Sequence, residues 1–190
     1  MKRLAIALIS ALAVTPALHA AVLITDFGSG GTRPFTPNGS TFDPGDITIT
    51  SSLIQVIGLT DDVLKGDFDS VDLTLIPESL TLNARVQDNP GGSLFITLFD
   101  EQDETATYEV LLNDFESSSF KDASAVFVSN TLGFEFNNVR SASFAFSDPA
   151  LNIDIEFASL TATIPEPSTY ALIGVGGLAL WVLRRRSLRC

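Results

Sequence analysis

Carboxylates are the abundant reactive groups of this 190-residue chain, which has 23 Asp and Glu, 11 Lys and Arg, one His and one Cys. The histidine, His19, and the cysteine, Cys190, sit near the two ends. A domain between them has no thiol nucleophile, no Ser-His-Asp arrangement and no His/Cys zinc site. Two chemistries remain open to the acids. Two carboxylates facing each other across a sugar, roughly 5 to 10 Å apart, can cleave a glycosidic bond. Several clustered oxygens can instead hold calcium at about 2.3 to 2.6 Å. The densest group, Asp61-Asp62 with Asp67, Asp69 and Asp72, lacks the spacing of an EF-hand and reads as a solvated acidic loop. Asp100, Glu101, Asp103 and Glu104 read as a charged hairpin turn. No pattern assigns a catalytic pair, so a non-enzymatic protein is expected, with a carboxylate-based glycan hydrolase or lyase as the alternative.

Charge is segregated along the chain. Lys2 and Arg3 lie at one end and Arg184, Arg185, Arg186 and Arg189 at the other. From residue 21 to 164 only Arg33, Lys65, Arg85, Lys121 and Arg140 oppose twenty-two acids, a balance of −17. Such a field repels nucleic acid and anionic lipid and favours solubility and bound cations.

The two ends read as processing segments. Met1-Lys2-Arg3 precedes an apolar run from Leu4 to Val14, with small residues around Ala17 and Ala20. That order predicts a secretory signal helix over residues 1–20, removed on export. Near the other end, Tyr170 to Leu183 is apolar apart from glycine and stops at Arg184-Arg185-Arg186. This predicts a short transmembrane helix over 170–183, with the arginines as a basic stop held in the cytoplasm.

Pro165-Glu166-Pro167 stands just before that helix. The order of Pro-Glu-Pro, short apolar helix and terminal arginine cluster resembles the PEP-CTERM sorting signal, over residues 165–190. The resemblance implies an exosortase-type sorting enzyme as partner, transient anchoring in the inner membrane, and delivery to the cell envelope or extracellular matrix.

Between the signals, residues 21–164 suffice for one acidic domain. Apolar residues alternate with polar or small ones in Leu80-Leu82-Ala84-Val86, Leu94-Ile96-Leu98, Ala142-Phe144-Phe146, Ile153-Ile155-Phe157 and Leu160-Ala162-Ile164. That period of two marks strands with one buried face. Val22 to Thr25, Ile47 to Thr50, Leu53 to Val56, Val71 to Leu75, Thr107 to Leu112 and Ala123 to Val128 are further strands. Ala158-Ser159 breaks the alternation and predicts a β-bulge. Gly28 to Asp46 reads as a long loop. The expected fold is all-β, an antiparallel β-sandwich.

The opening Val22-Leu23-Ile24-Thr25-Asp26-Phe27, the run Gly92 to Asp100, the segment Phe136 to Phe144 and the closing Ile153-Asp154-Ile155 resemble jelly-roll carbohydrate-binding and galactose-binding-like modules. The resemblance implies a jelly-roll-like sandwich and a polysaccharide, such as exopolysaccharide, as ligand. It also implies calcium between the first and last strands, at Asp26 and Asp154. Asp154 lies on the polar face of its strand, where it is either solvated or coordinated. The functional expectation is an exported cell-surface or matrix protein, with a purely structural matrix component as a further alternative.

Overall fold

The computed structural model describes residues 19–73, 79–147 and 151–165, and Ala21–Ile164 forms one compact unit. The expected transmembrane helix lies outside the described residues, as does the expected signal helix apart from His19 and Ala20. Among the described residues no helix is long and apolar enough to cross a membrane.

Eleven strands follow one another: β1 (His19–Thr25), β2 (Thr36–Pro37), β3 (Ile47–Ile49), β4 (Ile54–Leu59), β5 (Val63–Val71), β6 (Ser79–Asp88), β7 (Ser93–Phe99), β8 (Thr105–Leu111), β9 (Lys121–Asn130), β10 (Val139–Phe146) and β11 (Asn152–Pro165). Two single 3₁₀ turns, Leu112–Asp114 and Phe136–Asn138, interrupt them. The all-β expectation holds, and its cause is visible strand by strand. On β6 the apolar Leu80, Leu82, Ala84 and Val86 are buried, while Thr81, Asn83, Arg85 and Gln87 face away from the core.

The strands form one sheet in the order β2-β5-β10-β7-β8-β9-β6-β11-β4-β3, with β1 also paired to β11. β10 and β11 stand five places apart in this order, about 24 Å along a flat sheet at ~4.8 Å per strand. Yet the rings of Phe144 on β10 and Phe157 on β11 have centroids 5.0 Å apart. The sheet therefore curls over on itself, with β5, β10, β7 and β8 in one layer facing β6, β11 and β4 in the other. Phe27 lies between the layers, 5.4 Å from both Phe144 and Phe157 and 5.2 Å from Phe35. It is fully buried with a left-handed φ of 52°, a backbone cost of order 1–3 kcal/mol that its ring contacts offset.

The predicted bulge is present: β11 skips a register position against β6 between Phe157 and Ser159, which leaves Ala158 unpaired. On its other edge β11 pairs β4 over Asn152–Phe157 and also carries β1. One long strand thus serves several neighbours.

Three expectations are corrected. The acidic group read as a loop is largely strand β5: Leu64 and Phe68 point into the core, while Asp67 and Asp69 point out. Gly66 occupies the inward position between them, where a Cβ would run into the Phe35 ring and the Thr36 carbonyl of the adjacent β2. Of the strand expected from Val71 to Leu75, Val71 closes β5, Asp72 and Leu73 lie in no strand, and Thr74 and Leu75 lie outside the described residues. The Gly28–Asp46 stretch is also more than a connection, because it supplies β2 and buries Phe35 and Phe42.

Candidate functional site

The first residue of the sorting motif lies at the end of β11. Pro165 is the last strand residue, while Glu166, Pro167 and the Arg184, Arg185 and Arg186 stop lie outside the described residues. Asp26 follows β1 and organises the loop after it. Its Oδ2 accepts from the backbone N–H groups of Thr32 at 2.5 Å and Arg33 at 3.2 Å, and its Oδ1 is buried with no partner among the described residues. Asp154 is on β11, where its Oδ1 accepts from Gln55 Nε2 of β4 at 2.9 Å. Among the described residues the two aspartates share no partner. Among the described residues no three His, Cys, Asp or Glu are grouped as a metal cage.

The outward face of β4, β11 and β6 carries a constellation that composition does not reveal. Strand register sets Gln55, Glu156 and Arg85 side by side on three neighbouring strands. Arg85 Nη2 donates to Glu156 Oε1 at 2.8 Å and Oε2 at 2.6 Å, and Gln87 Nε2 donates to Oε1 at 2.7 Å. Glu156 is consequently only 6% exposed although it points away from the core; three charge-assisted bonds replace the water it loses. The next row continues with Asn83 of β6, whose Nδ2 donates to Asp122 Oδ1 of β9 at 2.6 Å. Phe120 borders the row, its ring 5.2 Å from the Arg85 guanidinium. The segment carrying it is pinned by buried Phe115 and by a bond from Val86 N to the Glu116 carbonyl.

The result is a flat ladder of amide, carboxylate and guanidinium groups on rigid strands, with a half-exposed aromatic ring at its rim. Each group can donate to, or accept from, a hydroxyl, and their mutual bonds hold them in place. Sequence reasoning singled out Asp154 here but not Arg85, Gln87, Gln55 or Glu156. The available signal was the unusual density of large polar side chains at alternate positions of β6 and β11.

Comparison with known proteins bears on the sorting motif and on the fold. Residues 163–186 match the model of the PEP-CTERM protein-sorting motif. No curated protein matches the chain. Among solved structures it is similar to PfGH50B (TM-score 0.52, 6% identity, covering 73% of this chain and 23% of that one). It is also similar to the agarase AgWH50C (TM-score 0.51, 9% identity, 77% and 25%). A third is the family 11 carbohydrate-binding module of a cellulosomal cellulase of Clostridium thermocellum (TM-score 0.47, 14% identity, 78% and 98%). The chain spans about a quarter of the length of the first two. This is therefore an all-β curled-sheet chain that carries a PEP-CTERM protein-sorting motif at residues 163–186.

Proposed function

We propose that the protein is exported, processed at its Pro-Glu-Pro motif by an exosortase-type enzyme, and delivered to the cell envelope or extracellular matrix. There it binds polysaccharide without cleaving it. The observation that carries the binding half is the ladder of Gln55, Asp154, Gln87, Glu156 and Arg85, preorganised on the outward face of three strands. A sugar presents vicinal hydroxyls, each both donor and acceptor, and rigid planar polar groups satisfy these with little ordering cost. Phe120 adds an apolar edge for a sugar ring.

The enzymatic alternative would use Asp154 and Glu156, two positions apart on β11. Both carboxylates are already engaged as acceptors, Glu156 by three donor contacts, which favours binding over proton transfer. Affinity electrophoresis through gels containing different polysaccharides, the producing cell's own exopolysaccharide among them, tests the reading. Retarded migration that Gln87→Ala relieves is the expected result. Unretarded migration in every gel would leave a structural matrix component, and reducing ends released from any of the polymers would make the protein an enzyme.

A further inference from the structure

The opposite face of the sandwich holds a second polar feature. Phe144 and Phe157 point toward each other, so Ser141 and Ser143 of β10 project away from the ladder on β11. At the end of this outer face lies a cleft of about 550 Å³ between the Asn38-Gly39 turn, β5, β10 and the β7–β8 turn. That size is within the range of ligand clefts. Its walls are fixed. Asn38 N donates to the Lys65 carbonyl at 2.9 Å and Asn38 Nδ2 to Asp67 Oδ2 at 2.8 Å. Gly39 closes the turn at φ 76°. Across the cleft Arg140 Nη2 lies 3.3 Å from Asp103 Oδ1, and Asp103 is itself held at φ 62°.

The charges here are unusual for the domain. Arg85 and Lys121 pair with Glu156 and Glu116, and Arg33 donates to the carbonyls of Asp69 and Ser70. Lys65 makes no ion pair among the described residues, despite the strongly acidic composition around it. Its ammonium lies 4.3 Å from the centroid of Phe99, so it covers the ring that would otherwise offer a stacking surface. The neighbouring Arg140–Asp103 pair is solvent-exposed, with side chains 45% and 75% accessible. A ligand anion can exchange with Asp103 there at little cost. A cleft whose lysine makes no ion pair among the described residues and whose arginine is exchangeable is well suited to a carboxylate.

We propose that this cleft is a second saccharide site, distinct from the ladder, and that it takes a uronate. The sugar carboxylate meets Lys65 and Arg140, and its hydroxyls meet Asp67 and Ser141. The proposal rests on the polysaccharide-binding reading, which the test separates from it. Isothermal titration of the full chain in mild detergent is carried out with tetragalacturonate and, separately, with cellotetraose. Tetragalacturonate is expected to bind, Lys65→Gln or Arg140→Gln to weaken it tenfold or more, and Ser129→Ala, exposed on β9 and part of neither site, to leave it within twofold. If cellotetraose binds while tetragalacturonate does not, the cleft proposal is overturned and the saccharide reading stands. The same holds if both cleft variants bind tetragalacturonate as the parent does. If neither saccharide binds, the saccharide reading itself fails, and the cleft proposal with it.

Discussion

Arg85 and Glu156 form a salt bridge of 2.6 Å across the β6–β11 pair, with the glutamate side chain 7% exposed and the arginine 30%. Both of its bonds to Glu156 come from Nη2, and Arg85 Nε is buried without an acceptor among the described residues. The pair is thus held by one edge of the guanidinium rather than a full fork.

That arrangement makes removal of either partner costly, because the survivor keeps its desolvation without its counter-charge. Glu156→Gln is expected to lower unfolding stability by about 2–3 kcal/mol, below the usual cost for a fully buried pair because Arg85 is partly solvated. Replacing both by leucine is expected to recover most of the loss. Urea unfolding of the single and double variants measures this. A single variant indistinguishable from the parent would mean that solvent, rather than Glu156, satisfies Arg85.

Tyr108 supplies an alkaline limit to stability. It is fully buried, its ring 5.5 Å from Phe127, and desolvation pushes its phenol well above the ordinary value. The native state therefore favours the neutral phenol. Its contribution is fully present below the unfolded phenol value near 10 and is lost as pH rises above it, since only the unfolded chain then ionises. Between pH 9 and 11 the stability should fall by about 1.4 kcal/mol through this one group. Tyr108→Phe should flatten that decline, as read from urea midpoints across the range. An equally steep decline in the variant would assign the alkaline loss to other groups.

What the sequence made legible follows the range of the interactions concerned. The strands β6, β7, β10 and β11 announce themselves by local alternation, and so does the bulge at Ala158, because each is decided within a few residues. Strand β5 was hidden by Gly66 at an inward position and by Asp67 and Asp69 on the outward one, which together imitate an acidic loop. The ladder was hidden for another reason. Glu156 is 71 residues from Arg85 and Asp154 is 99 from Gln55 in the chain. Only the register of β4, β11 and β6 brings them together, and an outward polar residue on any one strand looks in sequence like simple solvation.

Calcium dependence is expected to centre on Asp26. Its Oδ2 is taken by two backbone N–H groups, while Oδ1 is buried without a partner among the described residues. A cation there would satisfy that oxygen and draw further ligands from backbone carbonyls, as calcium commonly does. At a hundred times its dissociation constant the ion should add about 2.7 kcal/mol of stability. The melting temperature is therefore expected to rise from EDTA to millimolar calcium, and Asp26→Asn to abolish the rise. Identical melting in both buffers would remove calcium from the account.

Processing gives the last prediction. As a helix, Tyr170 to Leu183 would extend about 20 Å, short of the ~30 Å hydrocarbon core, and the segment contains Gly174, Gly176 and Gly177. Length and propensity would both make such a helix a poor permanent anchor. Arg184, Arg185 and Arg186 resist translocation, so the chain should pause with Pro165-Glu166-Pro167 close to the outer face of the inner membrane. That position suits a membrane-embedded sorting enzyme, and residues 163–186 match the corresponding motif. The mature protein is therefore expected to lack residues 1 to about 20 and everything beyond the Pro-Glu-Pro motif. Mass spectrometry of envelope and medium fractions should find peptides of the β-sandwich and none containing Trp181. Trp181 peptides in most of the exported material would mean that the tail is a simple anchor and that the motif is not cut.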